Sequence, residues 1–86
     1  MKKFSPLQSE VMDALYTFVN GLTREELARH IGRKNCSICA RVGELWSYIK
    51  VSGRRLDPIT KVRVEVLTLN YRGLQIMNNR QARLAA

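Results

Sequence analysis

Leu7, Val11, Met12, Leu15, Phe18 and Val19 recur at helical spacing, which predicts a first helix with one buried face. Ser5-Pro6-Leu7-Gln8 opens it. Ser5 is placed to cap, Pro6 takes a first helical position where its missing N–H costs nothing, and Gln8 completes a capping box. Asn20-Gly21 ends it. A second capping box, Thr23 with Glu26, starts another helix, and Gly32 stops it by taking the left-handed backbone that glycine adopts at low cost. Asn35 is a good cap for a third helix, expected over about residues 35–50. Ile38, Val42, Leu45, Trp46 and Ile49 make its single apolar stripe, and Lys34, Ser37, Arg41 and Lys50 fall on the opposite face.

The period then changes from helical to alternating. Tyr48 to Ser52 is short and β-branched, Gly53-Arg54-Arg55-Leu56-Asp57-Pro58 supplies turn chemistry, and Val62, Val64 and Val66 alternate with Arg63 and Glu65. These features predict two strands joined by a long basic loop over about residues 53–61. Leu67, Thr68 and Leu69 break the alternation, so a bulge or a change of environment is expected near Val66. From Tyr71 onward Leu74, Ile76, Met77, Ala82 and Leu84 suggest a last short helix, with Arg80 and Arg83 exposed, or a tail.

With 86 residues the chain is expected to form one small domain over 1–70 followed by the tail, 71–86. It carries no apolar run of the roughly 20 residues that a membrane span needs and no secretory signal pattern, which predicts a cytosolic protein without a membrane partner. Its formal charge of +8 is unevenly spread. Residues 1–32 hold four bases and four acids, whereas residues 33–86 hold eleven bases against Glu44, Asp57 and Glu65. A basic surface confined to one part of a small domain is the electrostatic footprint of a polyanion partner, nucleic acid first.

The run LTREELARHIGRKNCSICARVGELWSYIKVSGRRLDPITKVRVEVLTLN resembles the winged helix-turn-helix domains common in bacterial regulators and in phage and prophage genomes. Ser37-Ile38, Ala40-Arg41-Val42 and Glu44-Leu45 fall in register with the second motif helix of that family, and Gly53-Arg54 and Pro58 with its wing. Cys36, Cys39, Trp46 and the tail depart from the pattern. The resemblance implies an α+β, mostly helical fold, a three-helix core with one two-stranded wing, whose second motif helix faces double-stranded DNA. The leading reading is a sequence-preferring duplex-binding protein, a transcriptional regulator of phage or prophage type, acting as a dimer or in tandem on repeated sites because a single module of this size buries only about 600–1,000 Å² on DNA.

On that reading the start and outward face of the third helix meet base edges through Arg33, Lys34, Asn35, Ser37 and Arg41. Arg41 can offer guanine two parallel hydrogen bonds, and Asn35 can pair with adenine unless its side chain is spent on capping. The competing role for Arg41 is an ion pair with Glu44 or Glu26. Arg54 and Arg55 at the wing tip, with Lys61 and Arg63 on its return, suit the adjacent minor groove or its phosphates, and Lys50 a phosphate at the base. A backbone N–H at Thr23 is a further phosphate candidate.

Cys36 and Cys39 sit three apart at a helix start, but a structural zinc needs four ligands and only His30 offers a third, so no metal is expected. No nucleophile comes with a base and orienter, and no glycine loop precedes a helix with the lysine that phosphates need. The chain therefore reads as a binder without a cofactor rather than an enzyme. The competing function is a winged helix used for protein contacts, for instance a phage-encoded inhibitor seated on a host nucleic-acid machine, with that host protein as partner.

Overall fold

The computed structural model describes residues 3–85. The order of elements is α1 (Pro6–Thr17), α2 (Arg24–Ile31), α3 (Asn35–Glu44), a 3₁₀ turn at Trp46–Tyr48, β1 (Ile49–Leu56), β2 (Arg63–Leu69) and α4 (Tyr71–Ala85). Three helices, an antiparallel hairpin and a closing helix make the winged helix that the order of periods predicts. The basic start at Met1 and Lys2, and the side chains of Ala82, Arg83 and Leu84, lie outside the described residues.

Both capping boxes are formed. Ser5 Oγ accepts from the Gln8 N–H at 3.2 Å while Gln8 Oε1 accepts from the Ser5 N–H at 2.9 Å. Thr23 and Glu26 repeat the arrangement at 3.2 and 2.9 Å. Gly32 ends α2 with φ 79°, its N–H donated to the Ala28 carbonyl at 2.8 Å. Val11, Met12 and Leu15 of α1, Leu27 of α2, Ile38 and Val42 of α3 and Leu67 of β2 form the centre of one core.

α1 stops before Phe18, and Phe18 and Val19, expected on the buried face, are exposed. α3 is shorter than its apolar stripe suggests. It ends at Glu44, because the chain tightens into the 3₁₀ turn and Ile49 is already extended. Leu45, Tyr48 and Ile49 still reach the core, but Trp46 points out and is 47% exposed. Asn35 is not the cap of α3. Lys34 holds that position with no side-chain hydrogen bond, and the Asn35 Oδ1 accepts from the Cys39 thiol at 3.0 Å.

Gly53 to Leu56, read as turn chemistry, continue β1 and pair with Val66, Glu65, Val64 and Arg63, so the true tip of the wing is residues 57–62. Val62 consequently precedes β2 and is exposed. The register slips by one residue between Val51 and Gly53, opposite Leu67 and Val66, which places a bulge where the alternation breaks. Beyond it Val66, Leu67, Thr68 and Leu69 are all buried, since β2 there runs among α1, α2 and α4. Leu22 exchanges two backbone hydrogen bonds with Leu67, at 3.0 and 2.8 Å, and ties the loop before α2 to this strand. The approach requires Gly21, whose φ of 95° and proximity to the Leu67 carbonyl leave no room for a side chain.

α4 docks through the fully buried Met77, and Tyr16 of α1 donates a hydrogen bond to Asn78 at 2.6 Å. Among the described residues no helix is long and apolar enough to cross a membrane.

Candidate nucleic-acid interface

α3 meets solvent along Asn35, Cys36, Cys39, Ala40, Gly43 and Glu44, all exposed, while Ser37 and Arg41 are half-buried at its flanks. Apart from the Arg41–Glu44 pair its outward surface is therefore small and uncharged. Arg41 gives two hydrogen bonds to Glu44, from Nε at 2.7 Å and Nη2 at 2.9 Å. Glu44 also accepts from Gln8 of α1 at 2.9 Å, and these bonds, that from Arg41 first, hold its carboxyl below the usual glutamate range. This is the ion pair that competes with base contact, so Arg41 reaches a groove only after leaving Glu44.

Arg33 and Lys34 precede α3, are exposed, and lie beside Arg29 at the end of α2. Thr23 is buried. Its backbone N–H is taken by Glu26 and its hydroxyl by the return bond of the capping box, so neither group faces outward for a phosphate.

Two ion pairs fasten the wing to the first turn of α2. Arg24 bonds Glu65 of β2 at 2.9 Å, and Arg55 of β1 bonds Glu26 at 2.8 Å. Arg55 is thus in the strand, not at the tip, and serves to anchor the hairpin. Arg54 lies in the strand too, opposite Glu65. Arg24 also stands over the ring of Trp46, 6.0 Å from its centroid, linking the exposed indole after α3 to the wing. Sequence reasoning passed over Arg24. Its charge and helix-start position were visible, but its partners lie 22 and 41 residues away.

Arg33, Lys34, Lys50, Arg54, Lys61 and Arg63 have no acidic partner among the described residues. They do not form one unbroken surface. A cleft of ≈ 290 Å³ lined by Thr23, Arg24, Glu25, Asn35, Asp57, Val64 and Glu65 separates the start of α3 from the wing. Its carboxylates are engaged locally: Glu65 by Arg24, Glu25 by Arg29 at 3.1 Å, and Asp57 by backbone N–H groups of the wing tip. Lys50 stands apart, lining a groove with Leu15 of α1, Val19 just after that helix and Leu74 of α4, to which α3 contributes nothing.

The cysteines are exposed thiols. Among the described residues no three histidine, cysteine, aspartate or glutamate side chains are grouped to hold a metal ion.

No protein-family model matches the sequence, and no curated protein matches it. Solved structures do share the fold. MepR of Staphylococcus aureus in complex with DNA superposes with a TM-score of 0.73 at 18% identity, over 92% of this chain and 63% of that one. MepR described as a transcription regulator of the multidrug efflux pump MepA gives 0.68 at 18% identity, over 96% and 64%. The PcaV transcriptional regulator of Streptomyces coelicolor with its natural ligand gives 0.71 at 22% identity, over 98% and 57%. The chain spans 57% to 64% of the length of these proteins.

Proposed function

We propose that this winged helix binds double-stranded DNA and regulates transcription, in the cytoplasm, in the manner of the phage and prophage regulators whose helix and wing motifs it resembles. It is a binder, not an enzyme. α3 enters the major groove, flanked by Arg33 and Lys34, and the wing lies on the neighbouring groove with Arg54, Lys61 and Arg63 toward phosphates. The observation that carries this reading is the wing itself. It is clamped to the helix-turn-helix by Arg24–Glu65 and Arg55–Glu26, and it keeps three exposed cations without an acidic partner among the described residues. The DNA-bound MepR structure supports it by fold alone. A single module of this size buries only about 600–1,000 Å² on DNA, so a homodimer on repeated sites supplies the remaining affinity.

The test is binding to a random duplex pool across a salt series. Each phosphate contact contributes about 0.9 to the slope of log affinity against log salt. Removing Arg54, Lys61 and Arg63 together should flatten the slope by roughly 3. A wild-type chain that ignores duplex at low salt refutes the proposal.

One observation favours a second reading, a module for a host protein partner. The only charges on the outward side of α3, Arg41 and Glu44, are paired with each other, and Cys36, Ala40 and Gly43 permit close approach of another protein's surface. The same salt series separates the two, since a protein module shows no salt-sensitive retention of duplex.

A further inference from the structure

The tip of the wing is apolar as well as cationic. Leu56, Ile59 and Val62 are 56%, 76% and 59% exposed, and Pro58 stands among them. Scattered exposed aliphatic side chains need no explanation, but three gathered at the projecting end of the hairpin, Leu56 as the last residue of β1 and Ile59 and Val62 on the turn, mark a contact surface.

The turn that presents them is held in one shape. The Asp57 carboxylate accepts from the N–H groups of Ile59 and Thr60 at 2.8 and 3.0 Å. The Asp57 N–H closes onto the Val62 carbonyl and the Lys61 N–H onto the Asp57 carbonyl, both at 2.9 Å. Lys61 adopts φ 62°, a conformation a lysine takes only where its surroundings impose it. The core lies at the other end of the hairpin, where Val66 to Leu69 are buried, so the tip residues have no interior to turn into.

We propose that Ile59, shouldered by Leu56 and Val62, is a wedge that enters the minor groove of the bound duplex, parts a base step and bends the DNA. This rests on the DNA-binding reading above. Isoleucine, leucine and proline belong to the side chains that intercalate from the minor groove. Charge selects this occupant: Arg54, Lys61 and Arg63 flank the tip, and the nearest carboxylate, Asp57, is already spent on backbone N–H groups. Position selects it too. The first residue of the tip, Asp57, borders the start of α3 across the cleft that Asn35 also lines, so the tip lies beside the groove that α3 would occupy. The wedge makes pyrimidine–purine steps, above all TA and CA, the preferred position under the tip, because these unstack most easily.

The experiment uses the full chain and duplexes of about 30 base pairs carrying one central TA step or an AA step in its place, with 2-aminopurine beside the step and a donor and acceptor dye at the ends. Wild type should brighten the 2-aminopurine and shorten the end-to-end distance on the TA duplex, and do so less on AA. Ile59→Ala should keep the salt slope and lose both signals. Ile59→Leu should retain them. Equal bending and equal fluorescence for wild type and Ile59→Ala overturn the wedge while DNA binding stands. Absence of any salt-dependent binding by wild type overturns the DNA reading and the wedge with it. Retention of wild type but not Ile59→Ala on phosphatidylserine vesicles, with duplex signals equal for both, overturns the wedge in favour of a lipid surface.

Discussion

Gly73→Ala measures whether α4 is seated as the structure has it, because the sign of the effect depends on docking. Gly73 occupies the third position of α4, its N–H donated to Asn70 Oδ1 at 3.0 Å. A methyl group there would collide with the Tyr48 carbonyl oxygen and approach the Leu69 side chain to 3.2 Å. That oxygen has no room to yield, since it accepts from the Asn70 N–H at 2.9 Å while the Asn70 amide holds Ser47 at 2.8 Å. In an undocked helix alanine is favoured over glycine by roughly 1 kcal/mol. Against a packed neighbour, overfilling costs about 1–3 kcal/mol, and a disturbed hydrogen bond about 1 kcal/mol more. The net is a loss of about 1–3 kcal/mol, or a fall in Tm of about 5–20 °C for a domain this small. Gly43→Ala is the control. Gly43 is exposed on α3 with nothing within 4 Å of the new methyl, so stability should rise by up to about 1 kcal/mol. Thermal and urea unfolding followed by circular dichroism read both. Parallel increases in the two variants would refute the docking of α4 on the 3₁₀ turn.

Three further outcomes follow from local chemistry. Thr23→Ala removes one arm of the capping box of α2 and should cost about 1 kcal/mol in urea unfolding, with Thr23→Ser restoring most of it; no change would show that the cap is dispensable. Glu44→Gln takes the anionic partner from Arg41 and, on the DNA reading, should steepen the salt slope of duplex binding by about one unit, whereas an unchanged slope means Arg41 stays off the duplex. The Thr60 and Ile59 N–H groups, in that order, depress the Asp57 pKa, with Glu25 beside it as a smaller influence. Stability from Asp57 is therefore complete above the unfolded aspartate value of about 3.9 and is lost as the pH falls below it toward the lower folded value. Amide exchange at Ile59 and Thr60 should accelerate in that acid window, after allowance for the intrinsic rate, and stay protected at neutral pH; equal protection throughout would sink the claim that Asp57 closes the tip.

Features that depend on near neighbours in sequence were legible. The Ser5–Gln8 and Thr23–Glu26 boxes and the Gly32 stop are each set by residues within one or two turns, and each forms as read. The end of α3 was hidden because Leu45, Tyr48 and Ile49 face the core through a 3₁₀ turn as well as they would from a continued helix. What fixes the turn is remote: Asn70, more than 20 residues on, binds the Ser47 and Tyr48 carbonyls. Gly53-Arg54-Arg55-Leu56 carries the composition of a turn yet pairs along β2, so the reversal falls to Asp57-Pro58 and the left-handed Lys61. The placement of Arg55 followed from the same slip, and its contact with Glu26 spans 29 positions. The charge step at residue 33 located the basic region, but composition cannot say which cations are already paired.

That last distinction changes how the interface would recognise DNA. The positive charge begins where α3 begins, but α3 contains a single cation, Arg41, and it is bound to Glu44. Asn35, exposed at the start of α3, is also suited to a base edge, but its oxygen is held by Cys39. Contact with bases through Arg41 or Asn35 must therefore break a protein interaction, while Arg33, Lys34, Arg54, Lys61 and Arg63, before α3 and along the wing, have no acidic partner among the described residues to leave. On the proposed function, affinity then comes chiefly from the backbone, and selectivity from the shape and pliancy of the duplex under the wing. Selection from a random pool should accordingly enrich flexible steps at fixed spacing from the α3 site more strongly than any guanine contact. A consensus dominated by one invariant guanine, abolished by Arg41→Ala and indifferent to Ile59→Ala, would instead place recognition in α3 and leave the wing as an electrostatic clamp.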